Sequence, residues 1–274
     1  MKNKMLNLFV VLVLLSMCVS GQETVCAIYF TGIGCPHCAQ TDPYLFGEVL
    51  YTFNQSFILI EYEVYQEREN PAYVAEYDQK FGVGYGIPKV VFSQDEVIDG
   101  DRDIVNNIKS KVEEKTALGE GCLLLDLDTT TVSEEKDTCL VGSKIPFEEV
   151  DFNKIVGKPK IWMGNKVLFK VDKEANASSD LLRKLLISDN VSKDGSGYAM
   201  IEPVEIPFSG GGVKFSNAIK VDGWILQWNE GGNHEKRMSY SFDYYMEWIP
   251  WIVVTGGIIV LILMRISEKK KGGT

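Results

Sequence analysis

Residues 25–38 read VCAIYFTGIGCPHC, and this stretch decides the fold. Its first six residues are apolar, aromatic or β-branched, the composition of a buried strand. Thr31-Gly32-Ile33-Gly34 is a turn, and Cys35-Pro36-His37-Cys38 follows it. Pro36 suits the first position of a helix, where a missing N–H leaves nothing unsatisfied. A helix is therefore predicted from Cys35 through Leu45 toward Leu50, kinked at Pro43. Two cysteines two residues apart at a helix start can close a small ring with little rearrangement of the chain. The positive end of the helix favours a thiolate on Cys35. Cys38, one turn on, is then placed to attack a mixed disulfide and release the product. His37, when protonated, adds to the positive field.

Working outward, residues 57–64 (FILIEYEV) form a second predicted strand. Asn70-Pro71 opens a helix over 72–81, with Asn70 as its cap. Gly82, Gly84 and Gly86 end it; with no strand before them and no helix after, they form a loop rather than a nucleotide-binding turn. Ile87-Pro88 leads into a strand over 89–92, a short strand follows over 96–98, and an amphipathic helix over 103–114 closes the unit. The predicted order is β-α-β-α-β-β-α.

On these residues the segment 25–115 resembles the thioredoxin superfamily: a strand, a CxxC on a helix, and Ile87-Pro88 ahead of a further strand. The Pro36-His37 dipeptide is similar to that of membrane-anchored Dsb-type oxidoreductases rather than to the Gly-Pro of thioredoxin itself. The resemblance implies a thiol–disulfide oxidoreductase, with Pro88 as a cis-proline facing the disulfide and a neighbouring backbone edge free to pair with a substrate peptide. Pro36 and His37 tilt the pair toward oxidation. The sequence departs from the pattern in one respect. Thioredoxin carries a buried Asp in the strand before the CxxC; here that strand holds no acid, and Cys26 lies in it instead.

Alternative readings of the pair are a structural bridge or half a zinc site. Zinc needs four ligands, and there is no second CxxC and only His37 and His234 as histidines, so no metal and no cofactor are expected. A structural bridge leaves the strand, the helix and the downstream proline without explanation.

The two ends set the compartment. Lys2 and Lys4, an apolar run over 6–19 and the small residues Ser20 and Gly21 predict a signal peptide over 1–21. Residues 248–266 are almost wholly apolar, with Trp248, Trp251, Tyr244 and Tyr245 as an aromatic belt. Arg265 and Lys269 to Lys271 follow, giving a single membrane helix and a basic cytoplasmic tail over 267–274. The bulk of the chain is then extracytoplasmic at a cell membrane. The net charge of −10 argues against nucleic acid as a partner. Exported protein thiols and disulfides, and a membrane redox partner, are the expected partners.

Six cysteines are present, and Cys18 leaves with the signal peptide. Outside the cytosol disulfides persist, so Cys122 and Cys139 are the candidate structural disulfide. That pairing leaves Cys26 over, as a small buried apolar residue.

Residues 116–240 are expected to form a second, β-rich α+β region. A hairpin over 159–171 turns at Gly164-Asn165, a helix over 180–187 is capped by Ser178 or Ser179, and residues 205–228 carry β structure with Gly210 to Gly212 as a turn. Gly157-Lys158-Pro159-Lys160 echoes Gly86-Ile87-Pro88-Lys89, and strand, turn, strand and helix follow both; this fits a degenerate second copy of the thioredoxin half-fold. Asn54, Asn176 and Asn190 head short glycosylation-type triplets. The expected function is disulfide oxidation or isomerisation in exported proteins. Its alternatives are a reductase relaying electrons from a membrane partner, or a membrane-tethered binding or chaperone module.

Overall fold

Strand β1 (Val25–Thr31) is buried along its whole length, as is β2 (Phe57–Glu63), which runs parallel beside it. Alternation divides their side chains between two cores. Val25, Ala27, Tyr29, Phe57 and Leu59 enter one, while Cys26, Ile28, Phe30, Ile58, Ile60 and Tyr62 enter the other. A strand covered on both faces reads as a continuous apolar run, which is why this stretch was legible.

The computed structural model describes residues 24–82, 84–93, 95–122, 152, 155–171, 177–189, 191 and 199–230. Its architecture is mixed α/β around one large mixed sheet. After β1 come helix α1 (Cys38–Tyr44), a π-helical turn (Leu45–Val49) and α2 (Leu50–Phe53), then β2, α3 (Asn70–Phe81), β3 (Lys89–Ser93), β4 (Glu96–Asp99) and α4 (Asp101–Leu118). The second half supplies β5 (Lys160–Met163), β6 (Lys166–Lys170), α5 (Ser179–Ile187), β7 (Ala199–Met200), β8 (Val204–Phe208), β9 (Gly211–Phe215), β10 (Asn217–Val221) and β11 (Trp224–Trp228).

Nine of these strands form one sheet in the order β4-β3-β1-β2-β5-β6-β11-β10-β7. Only β1 and β2 are parallel; the other pairings described in that sheet are antiparallel. The sheet therefore runs across the boundary predicted at 115/116, because β5 docks on the outer edge of β2 with Ile60 opposite Ile161. Strands β8 and β9 form a separate hairpin.

The π-helical turn, α2 and α4 cover one face through Leu45, Phe46, Leu50, Ile104, Ile108 and Val112. The β8–β9 hairpin joins them there by turning Ile206, Phe208, Val213 and Phe215 inward. Phe46 is the hinge of this packing, with its ring 4.7 Å from Trp162 and 5.1 Å from Phe208. The opposite face is covered by α3 and α5 through Val74, Tyr77, Leu182 and Leu186.

Most predicted elements lie within a few residues of those seen, including the hairpin at Gly164-Asn165 and the α5 cap, where Ser178 Oγ accepts from the Leu181 N–H. Three expectations need correction. Regular helix begins at Cys38, although the Ala39 N–H already reaches the Cys35 carbonyl at 3.0 Å. Asn70 does not cap α3. It is buried as a cross-tie, donating to the Glu63 carbonyl at 2.8 Å and accepting from the Lys158 N–H at 3.1 Å. Cys122 pairs with Cys26, not with Cys139, linking β1 to the segment after α4. Cys26 sits inside the core beside that segment, so three-dimensional proximity overrides the short loop that favoured the nearer cysteine.

Cys139, the signal peptide over 1–21, the membrane span over 248–266, the tail over 267–274, and Asn176 and Asn190 lie outside the described residues. Among the described residues no helix is long and apolar enough to cross a membrane.

Candidate active site

The turn that carries Cys35 is held from below by one carboxylate. Glu63, at the end of β2, accepts from the N–H groups of Ile33 at 2.9 Å, Tyr65 at 2.9 Å, Gln66 at 2.7 Å and Glu67 at 2.9 Å. One side chain thus fixes both the glycine turn before the CxxC and the loop that leaves β2. Gly32 needs its missing side chain: a Cβ there would lie 2.9 Å from both Ile87 and Tyr65. This contact brings Ile87-Pro88 to the CxxC turn, and the Ile87–Pro88 peptide bond is cis. The Pro88 carbonyl accepts from Gly100 at 3.0 Å, and Lys89 then begins β3 opposite Phe30.

Cys35 and Cys38 are free thiols, both buried. The Cys38 N–H donates to Cys35 Sγ at 3.3 Å, setting a backbone dipole on the sulfur that the sequence assigns as nucleophile. Burial pushes the Cys38 thiol up to about 12, and its contact with Cys35 adds to the shift. Cys38 is therefore held in its protonated form. His37 stands at the exposed rim, 64% accessible, with Nδ1 3.0 Å from Asp101 Oδ2 at the start of α4. That hydrogen bond holds Asp101 below the ordinary carboxylate range.

Beneath Cys38 lies a polar cluster that reading the sequence missed. Asp42, one turn further along the same helix face, is fully buried. Its carboxyl accepts from Tyr29 at 2.5 Å, from Thr31 at 3.1 Å and from the Ser209 N–H at 2.8 Å. The Thr31 hydroxyl that donates to Asp42 also opposes part of the rise in the Cys38 thiol. Burial raises Asp42 above the usual carboxylate value, and its three donors oppose that rise. Behind it Glu61 is buried, accepts from Trp162 Nε1 at 2.6 Å and faces Lys160 Nζ at 3.6 Å. Burial drives Glu61 up to about 7, against the pull of Lys160.

No family model, curated protein or solved structure matches this chain. Its function must be read from the site itself.

The helical spacing of Cys38 and Asp42 was the available signal for the buried acid. Nothing local pointed to Tyr29 or Ser209, because their contacts to Asp42 are made only by the folded chain.

Proposed function

We propose that this chain is a thiol–disulfide oxidoreductase with a thioredoxin-like core, exchanging disulfides with exported proteins through Cys35 and Cys38. The order β2-β1-β3-β4, with only β1 and β2 parallel, supports the thioredoxin-like assignment of the first half. The observation that carries the functional reading is the inequality of the two thiols over a buried acid. Cys35 sits in the turn at the helix start and accepts a backbone N–H, while Cys38 is buried one turn deeper beside Thr31 and Asp42.

The reductive half-reaction then follows. Cys35 thiolate attacks one sulfur of a substrate disulfide, forming a Cys35–substrate bond and expelling the other substrate sulfur as thiolate. Cys38 gives its proton to Asp42, one turn further along the helix, and attacks Cys35 Sγ. The Cys35–Cys38 bond forms, the Cys35–substrate bond breaks, and the second substrate thiolate leaves with the electron pair. Two electrons pass from the dithiol to the substrate. Oxidation of a substrate dithiol is the same sequence reversed, with Asp42 returning the proton.

The oxidising direction is favoured by whatever stabilises the reduced pair. The Cys38 N–H on Cys35 Sγ and the His37 imidazole at the helix start act in that sense. The setting proposed is extracytoplasmic, at a cell membrane, with a membrane redox partner restoring the disulfide. Pro88 and the adjoining loop offer the edge on which a substrate peptide docks.

A Cys38→Ser variant of the full chain tests this reading. It should accumulate mixed disulfides with client cysteines through Cys35, and a Cys35→Ser variant should accumulate none. Recovery of no mixed disulfide from Cys38→Ser overturns the proposal. A reduction potential near that of thioredoxin, about −270 mV, would keep the chemistry but reverse its direction to reduction.

A further inference from the structure

The β8–β9 hairpin makes its polar contacts at an unusual place. Ser209, at its tip, donates its N–H to Asp42 Oδ2 at 2.8 Å and its hydroxyl to the Gly32 carbonyl at 2.7 Å. One residue therefore touches both the turn before Cys35 and the acid beneath Cys38, from 167 residues away in sequence. The neighbouring glycine shows how close the approach is. A Cβ on Gly210 would lie 2.5 Å from Pro43 Cγ and 3.3 Å from the Ala39 carbonyl, so the tip lies directly on α1. Farther down the hairpin, Lys160 Nζ reaches the Pro207 carbonyl at 3.4 Å while also facing Glu61. Phe208 packs against Phe46 and anchors the tip on the apolar side.

We propose that Ser209 is a positioning residue for the Cys35–Cys38 pair, orienting Asp42 as the acceptor of the Cys38 proton and fixing the Gly32 turn that presents Cys35. This rests on the thiol–disulfide reading above and assigns part of the redox site to the second half of the chain. The run Ser209-Gly210-Gly211-Gly212 then has a reason beyond turning the chain: it lets a backbone donor descend onto a helix that a side chain would hold away.

The groups facing Asp42 set the expected sign. Tyr29 approaches from β1, Glu61 from β2 with Lys160 of β5 behind it, and Cys38 from its own helix. Glu61 repels charge on Asp42, while Tyr29, Thr31 and Ser209 hydrogen-bond the charged form. Removing the Ser209 donor leaves Asp42 protonated to higher pH, and the step that needs it as a base moves to higher pH.

The test follows the two chemical steps separately in the full chain by stopped-flow, with a cysteine-peptide disulfide as substrate. Ser209→Pro deletes both the N–H and the hydroxyl, and Gly210→Ala lifts the tip that carries them. Each should slow resolution by Cys38 about tenfold at neutral pH and raise the pH midpoint of that step by about one unit, and each should also slow attack by Cys35, since the Gly32 contact is lost with the tip. Adding Pro43→Ala to Gly210→Ala removes the clashing ring atoms and should recover much of the loss. Ser209→Ala, which keeps the N–H on Asp42 and removes only the hydroxyl on the Gly32 carbonyl, should slow attack by Cys35 about tenfold and leave the pH midpoint of the Cys38 step in place. An unchanged pH midpoint in a folded Gly210→Ala overturns the proposal, and so does an unchanged rate of Cys35 attack in Ser209→Ala, which decides it where the other variants do not fold. If the wild-type chain transfers no disulfide, the functional reading falls and this one with it; if it does and the profiles stay fixed, this one alone falls.

Discussion

The phenol of Tyr29 donates to Asp42 Oδ1 at 2.5 Å, so the strand leading into the CxxC also holds the acid one turn beyond it. Burial and the Asp42 charge both raise Tyr29 well above its ordinary value, which keeps the phenol a donor throughout the pH range of interest. The carboxyl is thus fixed in orientation while remaining able to gain a proton.

Asp42→Asn keeps the shape of this arrangement and removes the proposed base. A positioned base contributes about 10²-fold or more, so resolution by Cys38 should slow by that order at neutral pH. Its rate should then climb only toward the range in which Cys38 itself ionises, about 12. Stopped-flow of both steps checks this. Equal slowing of the Cys35 and Cys38 steps would make Asp42 a packing residue and no more.

Glu61 gives a stability prediction with a definite sign. Its native value, about 7, lies above the ordinary 4.5. Between those values the folded state holds a proton that the unfolded state has lost, so stability falls as pH rises through that window. A shift of this size corresponds to about 3 kcal/mol. Glu61→Gln should therefore unfold at higher denaturant than wild type at pH 8 and gain little at pH 4. Parallel stability curves for the two proteins would show that Glu61 is charged in the native state.

Cys122→Ala opens a cross-link between residues separated by 96 positions. In the chain-entropy description a loop of that length contributes about 4–5 kcal/mol. Denaturant unfolding should show a loss of that order, with the Cys35–Cys38 reduction potential nearly unchanged. Peptide mapping without reductant should recover the Cys26 and Cys122 peptides joined. A Cys122–Cys139 peptide in their place would refute the pairing.

At the rim, His37→Ala should release Asp101. Its carboxyl, held low by the imidazole, should titrate upward toward the ordinary 3.8 when followed by NMR. The pair is exposed, so stability should hardly change. A fixed midpoint would mean that the pair does not form in solution.

How much of this was legible in the sequence depended on range. The β1–α1 unit and the strand after Pro88 were readable because their signals are local: an apolar run buried on both faces, two cysteines at helical spacing, and proline and glycine at the breaks. The Gly164 turn and the Ser178 cap were readable for the same reason. Asp42 could have been found, since a polar residue one turn past Cys38 shares its helix face. The edge-to-edge joining of β2 and β5, the Cys26–Cys122 link and the descent of Ser209 onto Asp42 could not, because each joins segments that only tertiary packing brings together. Asn70 shows the converse error. Its local pattern reads as a cap, and a buried tie to Lys158 overrode it.

The junction of β2 with β5 bears on how such a chain can be divided. A fragment ending near residue 115 would present the outer edge of β2 as a bare row of amide and carbonyl groups, an invitation to pair with another copy. It would also leave Cys26 without Cys122, a stray thiol in the same fragment as Cys35 and Cys38. Excising the first half for biochemistry would therefore yield a self-associating species prone to scrambled disulfides, whose behaviour would misreport that of the whole molecule.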